Sequence, residues 1–212
     1  MTDSVAPEYA RFIADERRAK RLEAVAKPMP EGEVLKPVSL QSEQASQFLR
    51  VAARRASGLF RPSRHTEVVW VQGDSELAVS LNGLQVQLTE GLIRVTMPVR
   101  CDQTGSVNIE VVFAVGSAKQ PSGLYASTFR RPIGPAIIVD TWGEALVAFA
   151  WQGVLGMVSG IAGAVGKDAR GNVMVPAELN AGTGALQIVP MARHRFAGSS
   201  GLKATAAKQV TP

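Results

Sequence analysis

The chain has 212 residues, 46% of them hydrophobic and 19% charged, enough to bury one substantial core and too few for two full domains. Its formal net charge of +5 is uneven: residues 1–64 carry 12 Lys and Arg against 8 Asp and Glu, residues 65–196 carry 9 against 10, and residues 197–212 carry 2 against none. A single cysteine, Cys101, excludes an intrachain disulfide framework, and no apolar stretch follows the first charges, so no secretory signal is expected and a cytoplasmic or assembly-associated location is.

Residues 8–27, EYARFIADERRAKRLEAVAK, place Tyr9, Phe12, Ile13, Leu22 and Val25 at roughly helical spacing around a charged centre, which predicts a largely solvated helix. The three prolines and the glycine of PMPEGEVLKP, residues 28–37, break it and predict an extended connector. A second helix is expected over 39–62, capped by Ser39 or Ser42, with Phe48, Leu49, Ala52 and Ala53 on its docking side and Arg50, Arg54 and Arg55 elsewhere. Together residues 1–64 read as a basic helical arm with a proline-rich linker. Arg17, Arg18, Lys20, Arg21, Arg50, Arg54 and Arg55 are its candidate anion contacts, although interleaved acids and the lack of an aromatic array weaken nucleic-acid binding.

From residue 65 the period changes. TEVVWV, ELAVSL, LQVQLT, LIRVTMPV and NIEVVFAV are short β-branched runs, several alternating apolar with polar residues, as antiparallel strands do. Asn82-Gly83 between two of them predicts a type I′ hairpin turn, and Gly73-Asp74 and Glu90-Gly91 mark neighbouring turns. GLYASTF and PAIIVD, residues 123–129 and 135–140, and ALQIVPMARHRF, residues 185–196, are read as further strands. Residues 197–212 lack large apolar side chains and predict a disordered tail.

The segment 145–166, ALVAFAWQGVLGMVSGIAGAVG, is uncharged and contains five glycines. On a helix, Val147, Trp151, Val154, Val158, Ile161 and Val165 form a bulky stripe, while Gly153, Gly156, Gly160 and Gly163 form a smooth groove for close packing or self-association. Its length, about 33 Å at 1.5 Å per residue, also suffices to cross a bilayer. Burial in protein or at a subunit interface is the leading expectation, because glycines in an exposed helix cost about 4–5 kcal/mol relative to alanine. GIAGAVGKD fails as a phosphate-binding loop, with Ile161 where a glycine is needed and Asp168 after the lysine.

No catalytic, cofactor-binding or metal-binding residues are assigned. His65 and His194 lie far apart in sequence, no ligand spacing recurs, Cys101 reads as a half-buried inert thiol, and no nucleophile elbow is present. Asp102, Glu110, Asp140 and Glu144 are acids with no sequence reason to meet. The expected fold is α+β: an antiparallel sheet body over 65–196 with two N-terminal helices and one central apolar glycine-rich helix. The expected function is a non-enzymatic structural or adaptor subunit of a larger assembly, of phage-particle or secretion-machine type, with protein partners or itself as partner. A membrane-associated protein anchored by 145–166 is the alternative, and nucleic-acid contact through the basic arm a lesser one.

Overall fold

The computed structural model describes residues 27–28, 36–57, 66–121, 131–167 and 171–192. In chain order the described elements are β1 (Lys27–Pro28), β2 (Val38–Gln41), α1 (Ser42–Ala56), β3 (Glu67–Gln72), β4 (Ser75–Ser80), β5 (Gln85–Thr89), β6 (Leu92–Cys101), β7 (Gly105–Ala114), α2 (Ala136–Val165), β8 (Gly166–Lys167), β9 (Val175–Ala181) and β10 (Ala185–Met191). Antiparallel sheets and helices share one core, so the fold is α+β.

β6 organises the larger, five-stranded sheet. Its alternation sends Ile93, Val95, Met97 and Val99 inward and leaves Arg94, Thr96, Pro98 and Arg100 on the outer face. β7 pairs with it along all ten residues, from Leu92 opposite Ala114 to Cys101 opposite Gly105. The other edge of β6 is shared: β5 pairs with residues 92–96 and β4 with Val99 and Arg100. Pro98 falls between the two, where its missing N–H costs no ladder bond. β3 completes the sheet beyond β4.

A second sheet has the order β2-β10-β9, and β1 pairs in parallel with β8. The two antiparallel sheets meet where the Gly91 N–H donates to the Ala181 carbonyl at 2.9 Å and the Ala181 N–H donates to the Gly116 carbonyl at 2.8 Å. α2 packs against both. Trp70 on β3 lies 6.3 Å from Trp142 and 5.5 Å, edge-on, from Phe149, and Phe113 on β7 lies 5.2 Å from Trp151, while the same helix packs on β9, β10 and α1.

Several expectations change. The second helix starts after Gln41, because Val38–Gln41 pairs with β10; the Gln44 side-chain oxygen accepts the Gln41 N–H at 2.9 Å, and neither Ser39 nor Ser42 is the cap. β2 and α1, read with the basic arm, are part of the common core through Leu40, Phe48, Leu49, Ala52 and Ala53. PAIIVD is no strand: the Pro135 carbonyl accepts the N–H groups of Ile138 and Val139, both at 3.1 Å, and opens α2 nine residues ahead of 145. Its β-branched residues obey the helical spacing that continues through Trp142 and Leu146. Asn82-Gly83 is not a type I′ turn, since neither residue has positive φ. β4 and β5 do not pair with each other; they lie end to end along β6. Gly83 answers to space instead, as a Cβ there would stand 2.5 Å from Pro98 Cγ. β9 had no counterpart among the expected strands, because VPAELNA lacks β-branched alternation. Residues 8–26 of the first expected helix, most of the connector, GLYASTF and the tail lie outside the described residues, and Lys27, expected to end that helix, pairs in β1 with Gly166.

Candidate functional site

The Gly153 and Gly156 part of the glycine-rich groove is filled from within the chain. A Cβ on Gly153 would lie 2.9 Å from Leu49 Cδ1 and 3.8 Å from Ala53 Cβ, and one on Gly156 would lie 3.2 Å from Ala52 Cβ. α1 therefore seats its Leu49, Ala52 and Ala53 on α2 at the closeness that glycine permits. A Cβ on Gly163 would lie 3.9 Å from the Met174 carbonyl oxygen, whereas nothing lies within 4 Å of a Cβ on Gly160. Of the bulky stripe, Val154, Val158 and Ile161 are buried, while Val147, Trp151 and Val165 are half-buried. The exposed face of α2 runs through Asp140, Thr141, Glu144, Ala145, Ala148, Gln152, Gly156 and Ser159.

Two of the candidate anion contacts are structural. Arg50 is 5% and Arg54 1% exposed. Arg50 Nε donates to the Leu84 carbonyl at 3.0 Å and Arg54 Nη2 to Asn82 Oδ1 at 3.0 Å, so both guanidiniums hold the corner between β4 and β5 against α1. The hydroxyl of Ser46 joins them, accepting the Val86 N–H at 2.8 Å. Charge alone could not separate these arginines from Arg55, which is exposed; only the docking of α1 on the corner does. Arg17, Arg18, Lys20, Arg21, His65 and His194 lie outside the described residues.

The tips of the β3–β4 and β6–β7 hairpins meet the start of α2 in a small cleft lined by Asp74, Glu76, Cys101, Asp102, Thr141 and Trp142, among others. Its volume of about 50 Å³ is far below the ~300 Å³ at which small-molecule sites begin. Cys101 Sγ lies 3.1 Å from Thr104 Oγ1. That hydroxyl, more than any other group, holds the thiol below its ordinary pKa, against the opposing effect of burial. Nothing in the residues around Cys101 signalled such a shift, because the three-residue loop that folds Thr104 back onto Cys101 depends on Gly105, at φ 67°. Glu110 is engaged with Arg94 at 2.8 Å and Asp140 with Arg131. Among the described residues no three of His, Cys, Asp and Glu converge as metal ligands.

The remaining feature is the outer edge of β3. Val69 is 50% and Val71 70% exposed, and among the described residues no strand pairs beyond β3. The composition EVVWVQ, with neither lysine nor proline, was the available signal for an unprotected edge. Comparison with family models, with curated proteins and with solved structures finds no match to this chain.

Proposed function

We propose that the protein is a non-enzymatic structural or adaptor subunit of a larger assembly, of phage-particle or secretion-machine type, cytoplasmic or assembly-associated, with other proteins or copies of itself as partners. The observation that carries this is the edge of β3: a six-residue strand with two exposed valines, no lysine or proline within it, and no strand beyond it among the described residues. Such an edge is a template for another strand. The rigid body behind it, with α2 packed on α1 and on both sheets, supplies the fixed geometry that an assembly contact needs.

The membrane reading draws on the length of α2 and on a mean hydropathy of 1.7 in its most apolar window. Against it weighs the packing of half of that window inside the fold; insertion in lipid would strip Leu146, Val154 and Val158 from their partners in the core. The test is sedimentation and flotation of the full-length protein in a lysate of its own cells. A discrete species far heavier than the 22.5 kDa chain supports the assembly. A free monomer in the soluble fraction overturns it, and flotation with lipid after an alkaline wash transfers the conclusion to the membrane alternative.

A further inference from the structure

The orientation of the β3 backbone can be read from its pairing with β4. The Leu81 N–H donates to the Thr66 carbonyl at 2.8 Å, one step before Glu67 opposite Ser80 in the register. In an antiparallel ladder the bonded pairs recur at every second residue. Val68, Trp70 and Gln72 therefore bond toward β4, and the N–H and C=O groups of Glu67, Val69 and Val71 point to the open side. The side chains of the same three residues lie on the exposed outer face.

We propose that this edge pairs with the β3 edge of a second copy of the chain, antiparallel about a two-fold axis through Val69. The proposal rests on the assembly reading above and names its first contact. In that register Val69 faces the partner's Val69 and each Glu67 faces the partner's Val71. All three outward-pointing residues of each strand then exchange both backbone bonds, and both five-stranded sheets continue into one. Shifting the axis to Trp70 leaves Glu67 opposite the Gly73 turn and satisfies fewer groups. A dyad through Val69 also keeps the two Glu67 carboxylates, the only charges on β3, about 13 Å apart at ~3.4 Å per residue. Each stays with its own Arg100, at 3.2 Å. The outer face gains a contiguous cluster of four valines where two exposed pairs stood. A self-complementary patch of this kind is what a closed two-fold contact requires.

Among the described residues the other edges are short or partly engaged, β9 by a bridge between Asn180 and Gly116. β7 carries a bridge from Ile133, whose N–H and C=O both bond Glu110, at 2.8 and 2.9 Å. Val86 on β5 is capped by Ser46. β2 has four residues, follows Lys36-Pro37 and runs directly into α1. An extended backbone is what the β3 edge accepts, and a second copy meets it with three bonded pairs and with its Glu67 carboxylates held apart.

The test uses the full-length chain. Sedimentation velocity over a range of concentrations is expected to show a species of twice the 22.5 kDa chain mass. Val69→Pro removes an N–H that the β3–β4 ladder does not use, and is expected to abolish the dimer while leaving the far-ultraviolet circular dichroism unchanged. Val71→Lys, on the outer face, should do the same if the proline disturbs the strand. Register is read by cross-linking in a Cys101→Ser background. Val69→Cys places two sulfurs on a bonded pair with Cα atoms about 5.5 Å apart, within disulfide reach, and should cross-link on mild oxidation. Val71→Cys, with its equivalents about 13 Å apart, should not.

A chain that stays monomeric at every concentration overturns the proposal. If the Val69 and Val71 amides are then protected from hydrogen exchange, another segment of the same chain covers the edge. Oligomers that survive Val69→Pro and Val71→Lys also overturn it while leaving the assembly reading intact, and equal cross-linking of the two cysteine variants overturns the register.

Discussion

The thiol of Cys101 shows how one side chain sets the chemistry of another. A hydroxyl donating to sulfur favours the thiolate, and the Thr104 hydroxyl at 3.1 Å is in place to do so. Removing it leaves burial as the larger remaining influence, which favours the neutral thiol. Thr104→Val is therefore expected to raise the pKa of Cys101, seen as an upward shift in the pH profile of alkylation and a slower reaction at neutral pH; an unmoved profile would assign the shift to the loop backbone. The same scale explains why Arg50 and Arg54 are poor candidates for phosphate contact. Their guanidiniums bond Leu84 and Asn82 inside the molecule, and a buried charge removed from its partner is costly, about 3–5 kcal/mol. Nothing in the local sequence sets them apart from Arg55, because burial depends on a corner 28 to 34 residues away.

At the scale of elements, the seam between α1 and α2 separates glycines that serve packing from those that do not. Gly153 is buried beneath Leu49, whose Cδ1 lies 2.9 Å from a Cβ built there, while Gly160 has nothing within 4 Å. Gly153→Ile is expected to destabilise the fold by about 1–3 kcal/mol through overpacking. Gly160→Ala is expected to stabilise it by about 0.5–1 kcal/mol, because the helix gains propensity without a clash. Urea denaturation of both variants checks the pair of signs, and equal effects would mean that the seam does not discriminate. Even spacing along α2 made the four glycines look equivalent in sequence; they differ because α1 crosses only part of the helix. Turn chemistry has the same limit. Gly73, at φ 60°, and Gly91, at φ 69°, sit in hairpin loops as expected. Asn82-Gly83 sits at a corner, since β4 and β5 both seek β6 rather than each other.

For the whole molecule, α2 is the common wall. Its Trp142 and Phe149 meet β3, its Trp151 meets β7, and further turns pack on β9 and β10. A core shared by both sheets and both helices is expected to unfold in one step. Residues 38–56 cannot be shed with the basic arm: β2 pairs with β10, and Leu40, Phe48 and Leu49 are buried. A chain lacking residues 1–56 is expected to lose its cooperative thermal transition, followed by tryptophan fluorescence. Retention of a sharp transition would show that the body stands without α1. Any test of the basic residues by truncation therefore has to stop ahead of Val38.

Much of what depends on neighbours along the chain was legible in the sequence. Alternation with period two placed β3 to β7 within three residues, and the spacing of Val154, Val158 and Ile161 marked a helix with a buried side. Contacts across the fold settled which of those local features face each other: that PAIIVD joins the long helix, that the glycine groove receives α1, that two arginines turn inward, and that β3 is left with an edge toward solvent among the described residues. The physical reason is that period and propensity act over one or two turns of chain, whereas burial, hydrogen-bond partners and edge exposure are set by contacts between segments tens of residues apart.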